Sequence, residues 1–401
     1  MRINRFICGL TIVLTVLAGC KPGSHQKGPA MTVHQDSIVS DSTKIIYIGT
    51  YTESKDRGAG KSEGIYVYEM NMSTGRLNLI SHSPHTVNPS YLVVDRKRQR
   101  LFAVNETGDD KKPSGAVSAF RLIRQGREME FVNSVPSEGN FPCYVTLDQS
   151  GKWVMCANYG SGTVAVFPVE SDGSLGPVAF TDQHKGRNKP PRQESAHAHM
   201  IITSPDNQFV YSCDLGSDNI FIYKLDTIQG KLLASGTRYA TQAGAGPRHM
   251  TFHPSKDIAY EVNELNGTIE VMQVDTRSGA LTRLQIVPTV DQSVGVEAAC
   301  ADIHLTPSGE FLYASNRGQV NDLAMYKVDQ ESGKLTLIGH QTVKGKTPRN
   351  FVIDPTGTYL LVANQDSDNV VTFRIDKTTG KLIDTGLETT VPSPVCIKFL
   401  L

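Results

Sequence analysis

Phe351-Val-Ile-Asp-Pro-Thr-Gly-Thr-Tyr-Leu-Leu-Val-Ala-Asn364 is an apolar run, a turn carrying Asp354, Pro355 and Gly357, and a second apolar run that stops at an asparagine. β-Branched and aromatic residues on both sides of a Pro/Gly turn predict two short antiparallel strands. The same pattern occupies Tyr91–Asn105, Tyr144–Asn158, Met250–Asn263 and Ile303–Asn316, and Ile201–Asp214 is a variant with Asp in the Asn slot. A third apolar run follows each pair, as in Thr163-Val-Ala-Val-Phe167, Asn219-Ile-Phe-Ile-Tyr223, Thr268-Ile-Glu-Val-Met272 and Asn369-Val-Val-Thr-Phe373. Turns such as Ser278-Gly279, Ser332-Gly333 and Thr379-Gly380 then introduce a fourth.

The period is roughly 50 residues, which marks a repeat architecture. Seven units begin near Lys44, Pro89, Pro142, His199, Pro247, Ala301 and Pro348. Four short strands at this period describe a propeller blade. The predicted fold is therefore all-β, a seven-bladed β-propeller spanning residues 44–401. No segment sustains the 3.6-residue periodicity that a helical solenoid requires. The 35 Gly, 20 Pro and single Trp agree with a turn-rich β protein. A ring must also close. Pro394-Val-Cys-Ile-Lys-Phe-Leu400 is an apolar run with no partner in its own unit, and is expected to pair with Ile45–Gly49.

Residues 1–20 have the order of an export signal: basic Arg2 and Arg5, a short apolar run from Phe6 to Leu17, then Leu17-Ala-Gly-Cys20. That ending resembles a bacterial lipobox, which implies cleavage before Cys20 and lipidation of its thiol. Residues 21–43 are polar and aperiodic, and are expected to be a flexible tether. Membrane attachment would then be through the lipid at Cys20 alone. Lys+Arg and Asp+Glu both number 40, a balance that argues against a nucleic-acid partner. Cys143, Cys156, Cys213, Cys300 and Cys396 are widely spaced, form no Cys-x-x-Cys pair and read as small core residues.

Titratable residues concentrate where the repeats converge, just before each first strand and just after each second: Glu106, His197, His199, Arg248-His249, Asn263-Glu264, Arg317 and Arg349-Asn350. The short motifs Ile48-Gly-Thr-Tyr-Thr52, Ala196-His-Ala-His199, Gly246-Pro-Arg-His249, Val262-Asn-Glu264, Ser315-Asn-Arg317, Asp354-Pro-Thr-Gly357 and Val391-Pro-Ser-Pro-Val-Cys396 lie in one order along the chain. In this order they resemble the seven-bladed lactonase family, which includes one type of bacterial 6-phosphogluconolactonase and fungal carboxymuconate-lactonising enzymes. The resemblance covers Ile45 to Phe399. It implies hydrolysis of a sugar-acid lactone and a central pocket with one His, two Arg and one Glu: His199 (or His197), Arg248, Arg317 and Glu264.

Those residue types suit the chemistry. Opening a cyclic ester needs a base for water and a home for the oxyanion; Glu264 or His199 is the candidate base, and Arg248 and Arg317 the candidate oxyanion partners. His197, Glu106, Asn263 and Arg349 are expected to contact the small-molecule substrate. His249, His253 and His304 read as structural hydrogen bonders, and the basic run Lys185–Arg192 as a solvated surface loop. No cofactor is implied, and no metal site. A non-catalytic propeller that binds glycans or proteins, or a lactonising cyclase, is the alternative. There is no Gly-x-Ser-x-Gly elbow and no His-Glu-x-x-His motif.

Overall fold

The computed structural model describes residues 42–54, 58–59, 62–108, 114–189, 191–290, 295 and 297–401. The signal expected over 1–20, Cys20 included, and nearly all of the tether lie outside the described residues.

Seven four-stranded antiparallel sheets follow one another along the chain. In blade 4 the order from the axis outward is Ala198–Thr203, Phe209–Asp214, Asn219–Asp226 and Lys231–Ala240. Blades 5, 6 and 7 begin with the inner strands Pro247–Phe252, Cys300–Leu305 and Pro348–Ile353, and blades 2 and 3 with Leu92–Asp95 and Pro142–Leu147. Blade 1 is composite. Its inner strand is Pro394–Phe399, paired with Thr43–Thr50 through Ile46 opposite Phe399 and Ile48 opposite Ile397. The predicted seam is thus the observed one. The inner strands touch in succession from blade 2 round to blade 7, then Pro394–Phe399, then blade 2 again.

The second strands explain the unbroken apolar runs in the sequence. Phe209–Asp214, Ile258–Asn263, Phe311–Asn316 and Tyr359–Asn364 are buried at every position, because a neighbouring blade covers each face. The outer strands alternate instead, as in Leu382–Thr390, since one face meets water.

Each blade is also latched to the next by one side chain of its second strand, which donates to a carbonyl in the following blade's third-to-fourth strand turn. Tyr47 reaches Gly126 O at 2.8 Å, Arg100 Ser171 O at 2.9 Å, Trp153 Thr227 O at 2.9 Å and Tyr211 Gly279 O at 2.8 Å. Tyr260 reaches Gly333 O at 2.8 Å, Tyr313 Gly380 O at 2.8 Å and Tyr359 Ser73 O at 3.0 Å, which closes the circle. These turns carry glycine for two reasons. Gly380 has φ +71°, and a Cβ there would stand 2.3 Å from Phe311 Cδ1.

Blade 5 departs from the internal pattern behind its inner strand. Glu261 lies directly opposite Glu270, and both are fully buried. The matching pairs elsewhere are small or apolar: Ala103 with Ser118, Cys156 with Ala165, Ala314 with Ala324, and Val362 with Val371. Buried like charges face to face are unfavourable, so the pair retains a proton. Burial, then the charge of Glu270, pushes the Glu261 carboxyl well above its usual range, and Asp218 adds to it. Burial likewise raises Glu270, against the opposing effects of Tyr239 and Arg283.

Two stability measurements test these points. Gly386 has φ +70° but open space around it, so Gly386→Ala should cost only the backbone penalty of about 1–2 kcal/mol. Gly380→Ala should cost about 1–3 kcal/mol more through overpacking against Phe311; equal losses in urea denaturation would refute the steric account. For Glu261, the folded state holds a proton that the unfolded chain releases near pH 4.5, so stability should fall as pH rises above that value, by about 1.4 kcal/mol per unit for one proton. Glu261→Gln should flatten that decline between pH 5 and 8; an unchanged slope would remove the pair as its source.

Candidate active site

The blade geometry brings the convergent residues together through a repeated irregularity. In blades 3 and 4 the ladder skips a residue at the head of the inner strand: Pro142 pairs with Asn158 and Tyr144 with Ala157, Ala198 with Asp214 and Met200 with Cys213. Blades 5 and 7 do the same between Pro247 and His249 and between Pro348 and Asn350. The skipped residues are Cys143, His199, Arg248 and Arg349. A bulge turns such a residue out of the sheet's alternation and re-aims its side chain. The residues just past the second strands, Tyr51, Glu106, Tyr159, Glu264 and Arg317, lie at the same end of the ring, because each second strand ends opposite the bulge.

Glu264 is the hub. Its Oε2 accepts from Arg248 Nε at 2.8 Å, and its Oε1 from Arg192 Nη2 at 2.9 Å, with Arg317 Nη2 at 3.1 Å. Burial opposes ionisation, but the guanidiniums of Arg317, Arg248 and Arg192 outweigh it and hold the carboxyl down at about 2. Arg248 is 2% exposed. Burial, followed by the charge of Arg317, lowers it to about 10, so it remains a cation at neutral pH. It also donates to the carbonyl of Ala301. Arg317 donates to Ala299 O at 3.1 Å and Cys300 O at 3.0 Å.

His199 is buried, and its Nδ1 has no hydrogen-bond partner among the described residues. Its ring meets Tyr159 and His249 edge-on, with centroids at 5.6 and 5.2 Å. Burial, then the charge of Arg248, drives it well below the usual imidazole value, so it is neutral at physiological pH. His197 is engaged elsewhere: its Nδ1 donates to Tyr159 O at 2.9 Å, and its ring stacks on Tyr159. His249 donates through Nδ1 to Asp302 Oδ1 at 2.8 Å, and its Nε2 lies 3.4 Å from Arg248 Nη1. Burial and Arg248 push His249 down to about 4. The other oxygen of Asp302 accepts from His304 at 2.9 Å and from Asn350. His249 and His304 are thus hydrogen bonders, as expected, both on Asp302, with His249 beside Arg248.

A second cluster joins blades 1, 2 and 7. Tyr51 donates to Glu106 Oε2 at 2.9 Å, Arg349 Nη2 stands 3.8 Å from Glu106 Oε1, and the Arg349 guanidinium lies over the Tyr51 ring. Asn263 does not reach either cluster; it is fully buried, with its amide on Thr268 Oγ1 at 3.2 Å. Comparable asparagines at other second-strand ends, Asn158 and Asn316, donate to carbonyls of the preceding linker, Ser137 O and Thr289 O. No group of three or more metal-binding side chains occurs among the described residues.

The description "Lactonase, 7-bladed beta-propeller" matches residues 45–399. The chain belongs to this lactonase family. It is 35% identical over 359 residues to a 6-phosphogluconolactonase of Bacillus subtilis, covering 89% of this chain and 99% of the relative. A 6-phosphogluconolactonase of Formosa agariphila is 33% identical over 342 residues, covering 84% and 94%. The solved periplasmic gluconolactonase of Pseudomonas aeruginosa superposes with TM-score 0.83 at 34% identity, covering 90% and 99%.

Two residues of this lactonase escaped the sequence reading. The loop is exposed, as expected, but the half-exposed Arg192 reaches inward from it to Glu264, with Tyr159 Oη at 3.1 Å. The loop that carries it is pinned by Gln193, which donates to Leu215 O at 2.8 Å and Asp218 Oδ1 at 2.6 Å. Arg192 and Glu264 also wall a cavity of about 570 Å³ that includes Lys189, Gly244, Glu297 and Gln319. Tyr51 was legible in principle, since it fills the same post-strand slot as Glu106 and Glu264.

The charge environment of His199 is directly measurable. Titration of its ring by ¹H–¹⁵N NMR should show a neutral imidazole at pH 6. Arg248→Met, by removing a neighbouring cation, should move the midpoint upward. A wild-type midpoint near 6.5 would contradict the geometry.

Proposed function

We propose that this lactonase hydrolyses a sugar-acid lactone of the glucono-1,5-lactone type, with or without a 6-phosphate, and that His199, Arg248, Glu264 and Arg317 carry the reaction. The observation that carries the proposal is a neutral imidazole, His199, with an unpartnered ring nitrogen beside guanidiniums fixed on one carboxylate. His199 takes a proton from water as the water oxygen adds to the lactone carbonyl. The oxyanion that forms is met by the edges of Arg248 and Arg317. The carbon–oxygen ring bond then breaks, and His199 returns the proton to the departing ring oxygen. The sum is water plus lactone to the open hydroxy acid, which ionises.

Of the two candidate bases, His199 fits and Glu264 does not. Both Glu264 oxygens are taken up by guanidiniums, whereas His199 Nδ1 has no partner among the described residues and is open to a proton. Glu264 instead keeps the guanidiniums in register, a positioning role. His197, tied to Tyr159, shapes the wall. A glycan-binding platform or a lactonising cyclase has no observation in its favour.

The enzyme works outside the cytoplasm in this reading, anchored by a lipid at Cys20 and spaced by residues 21–43. The Arg2–Cys20 pattern supports this, and so does the periplasmic location named for the Pseudomonas aeruginosa relative.

A pH-stat assay on glucono-1,5-lactone and its 6-phosphate, corrected for spontaneous hydrolysis, tests the reaction. His199→Gln and Arg248→Ala should each lower kcat by about 10²-fold or more while the protein stays folded. Background rates for folded wild type on both lactones would sink the proposal.

A further inference from the structure

The four arginines at this end of the ring are not equivalent. Arg248, Arg317 and Arg192 all share Glu264, and their remaining contacts run to Ala301 O, to Ala299 O and Cys300 O, and to Tyr159. Arg349 has no hydrogen-bond acceptor within reach among the described residues. Its nearest carboxylate oxygen, Glu106 Oε1, is 3.8 Å away, too far for a direct bond. Glu106 is only half used: Oε2 accepts from Tyr51, and Oε1 has no hydrogen-bond donor among the described residues. Both side chains keep some exposure, 19% for Arg349 and 14% for Glu106. Across one gap, then, stand unsatisfied guanidinium N–H groups and an unsatisfied carboxylate oxygen.

We propose that Glu106 and Arg349, backed by Tyr51, form a clamp for adjacent hydroxyl groups, so that the substrate is a neutral polyhydroxy lactone recognised without a phosphate. This rests on the lactone-hydrolysis reading of the same site. A hydroxyl is both donor and acceptor. Standing beside the pair and bridging it, at about 2.8 Å from each, it accepts from Arg349 and donates to Glu106 Oε1, and a neighbouring hydroxyl meets the other guanidinium N–H groups. A phosphate is acceptor-only and dianionic. Here it would confront Glu106, and every described guanidinium at this end already stands beside a carboxylate. In the cavity beyond Arg192, Lys189 is likewise accompanied by Glu297. Strong phosphate sites instead present uncompensated cations and N–H groups.

The test measures kcat/KM of the full-length protein on three lactones: glucono-1,5-lactone, its 6-phosphate, and δ-valerolactone, the same ring without hydroxyls. Wild type should favour gluconolactone over δ-valerolactone and gain nothing from the phosphate. Glu106→Gln should reduce the gluconolactone-to-valerolactone ratio by about 10- to 100-fold, the worth of hydrogen bonds to a charged group. Arg349→Lys should reduce it in the same sense. A merely structural role would lower both rates together and leave the ratio alone, which would overturn the clamp; so would a tenfold preference for the 6-phosphate. If wild type hydrolyses none of the three, the lactonase reading fails by itself. Calorimetric binding of glucono-1,5-lactam to wild type and Glu106→Gln then decides the clamp separately: equal affinities refute it, and selective loss in the variant supports it.

Discussion

A four-stranded blade with two apolar faces is not stable alone, and everything in this protein depends on the ring that covers both. Burial of the second strands on each face is what permits runs such as Tyr359–Asn364, which would be insoluble on an isolated sheet. Closure by Pro394–Phe399 on Thr43–Thr50 removes the last open edges. The seven side-chain latches fix the blades in angle as well as contact, because each binds a carbonyl at a turn that a glycine shapes. The same closure sets the spacing at which residues from different blades meet.

The site is built from departures from that regularity. The bulges take Cys143, His199, Arg248 and Arg349 out of the ladder at the same point in four blades, so their side chains converge instead of alternating into interblade packing. Charge then organises the result. Glu264 collects three guanidiniums that would otherwise repel one another; burial first, and then the charge of Arg248, keep His199 neutral. The opposite cluster, Tyr51, Glu106 and Arg349, is left less complete.

The repeat made the fold legible, since apolar runs, turn residues and terminal asparagines recur at fixed offsets. It also marked the slots that converge at one end of the ring, which is how Glu106, His199, Arg248, Glu264, Arg317 and Arg349 were visible. Two of its slots carry a local hydrogen bond instead of joining a cluster. Asn263 fills a convergent slot but caps a strand end, and His197 sits two residues from His199 yet is spent on Tyr159. Arg192 was hidden for the opposite reason: it lies in no repeat slot, and only the fold of its loop over blades 4 and 5 brings it to Glu264.

By itself, then, the sequence determined the all-β blades, the seam and the residues that cluster at one end, because these follow from periodicity and turn chemistry within a few residues. Which histidine is neutral and lacks a partner on Nδ1 among the described residues, that Glu264 is shared by three guanidiniums, and that Glu261 faces Glu270 were decided by tertiary structure alone. Each depends on register across strands or on charges delivered by blades far apart in the chain, and burial turns those meetings into large shifts that no local pattern encodes.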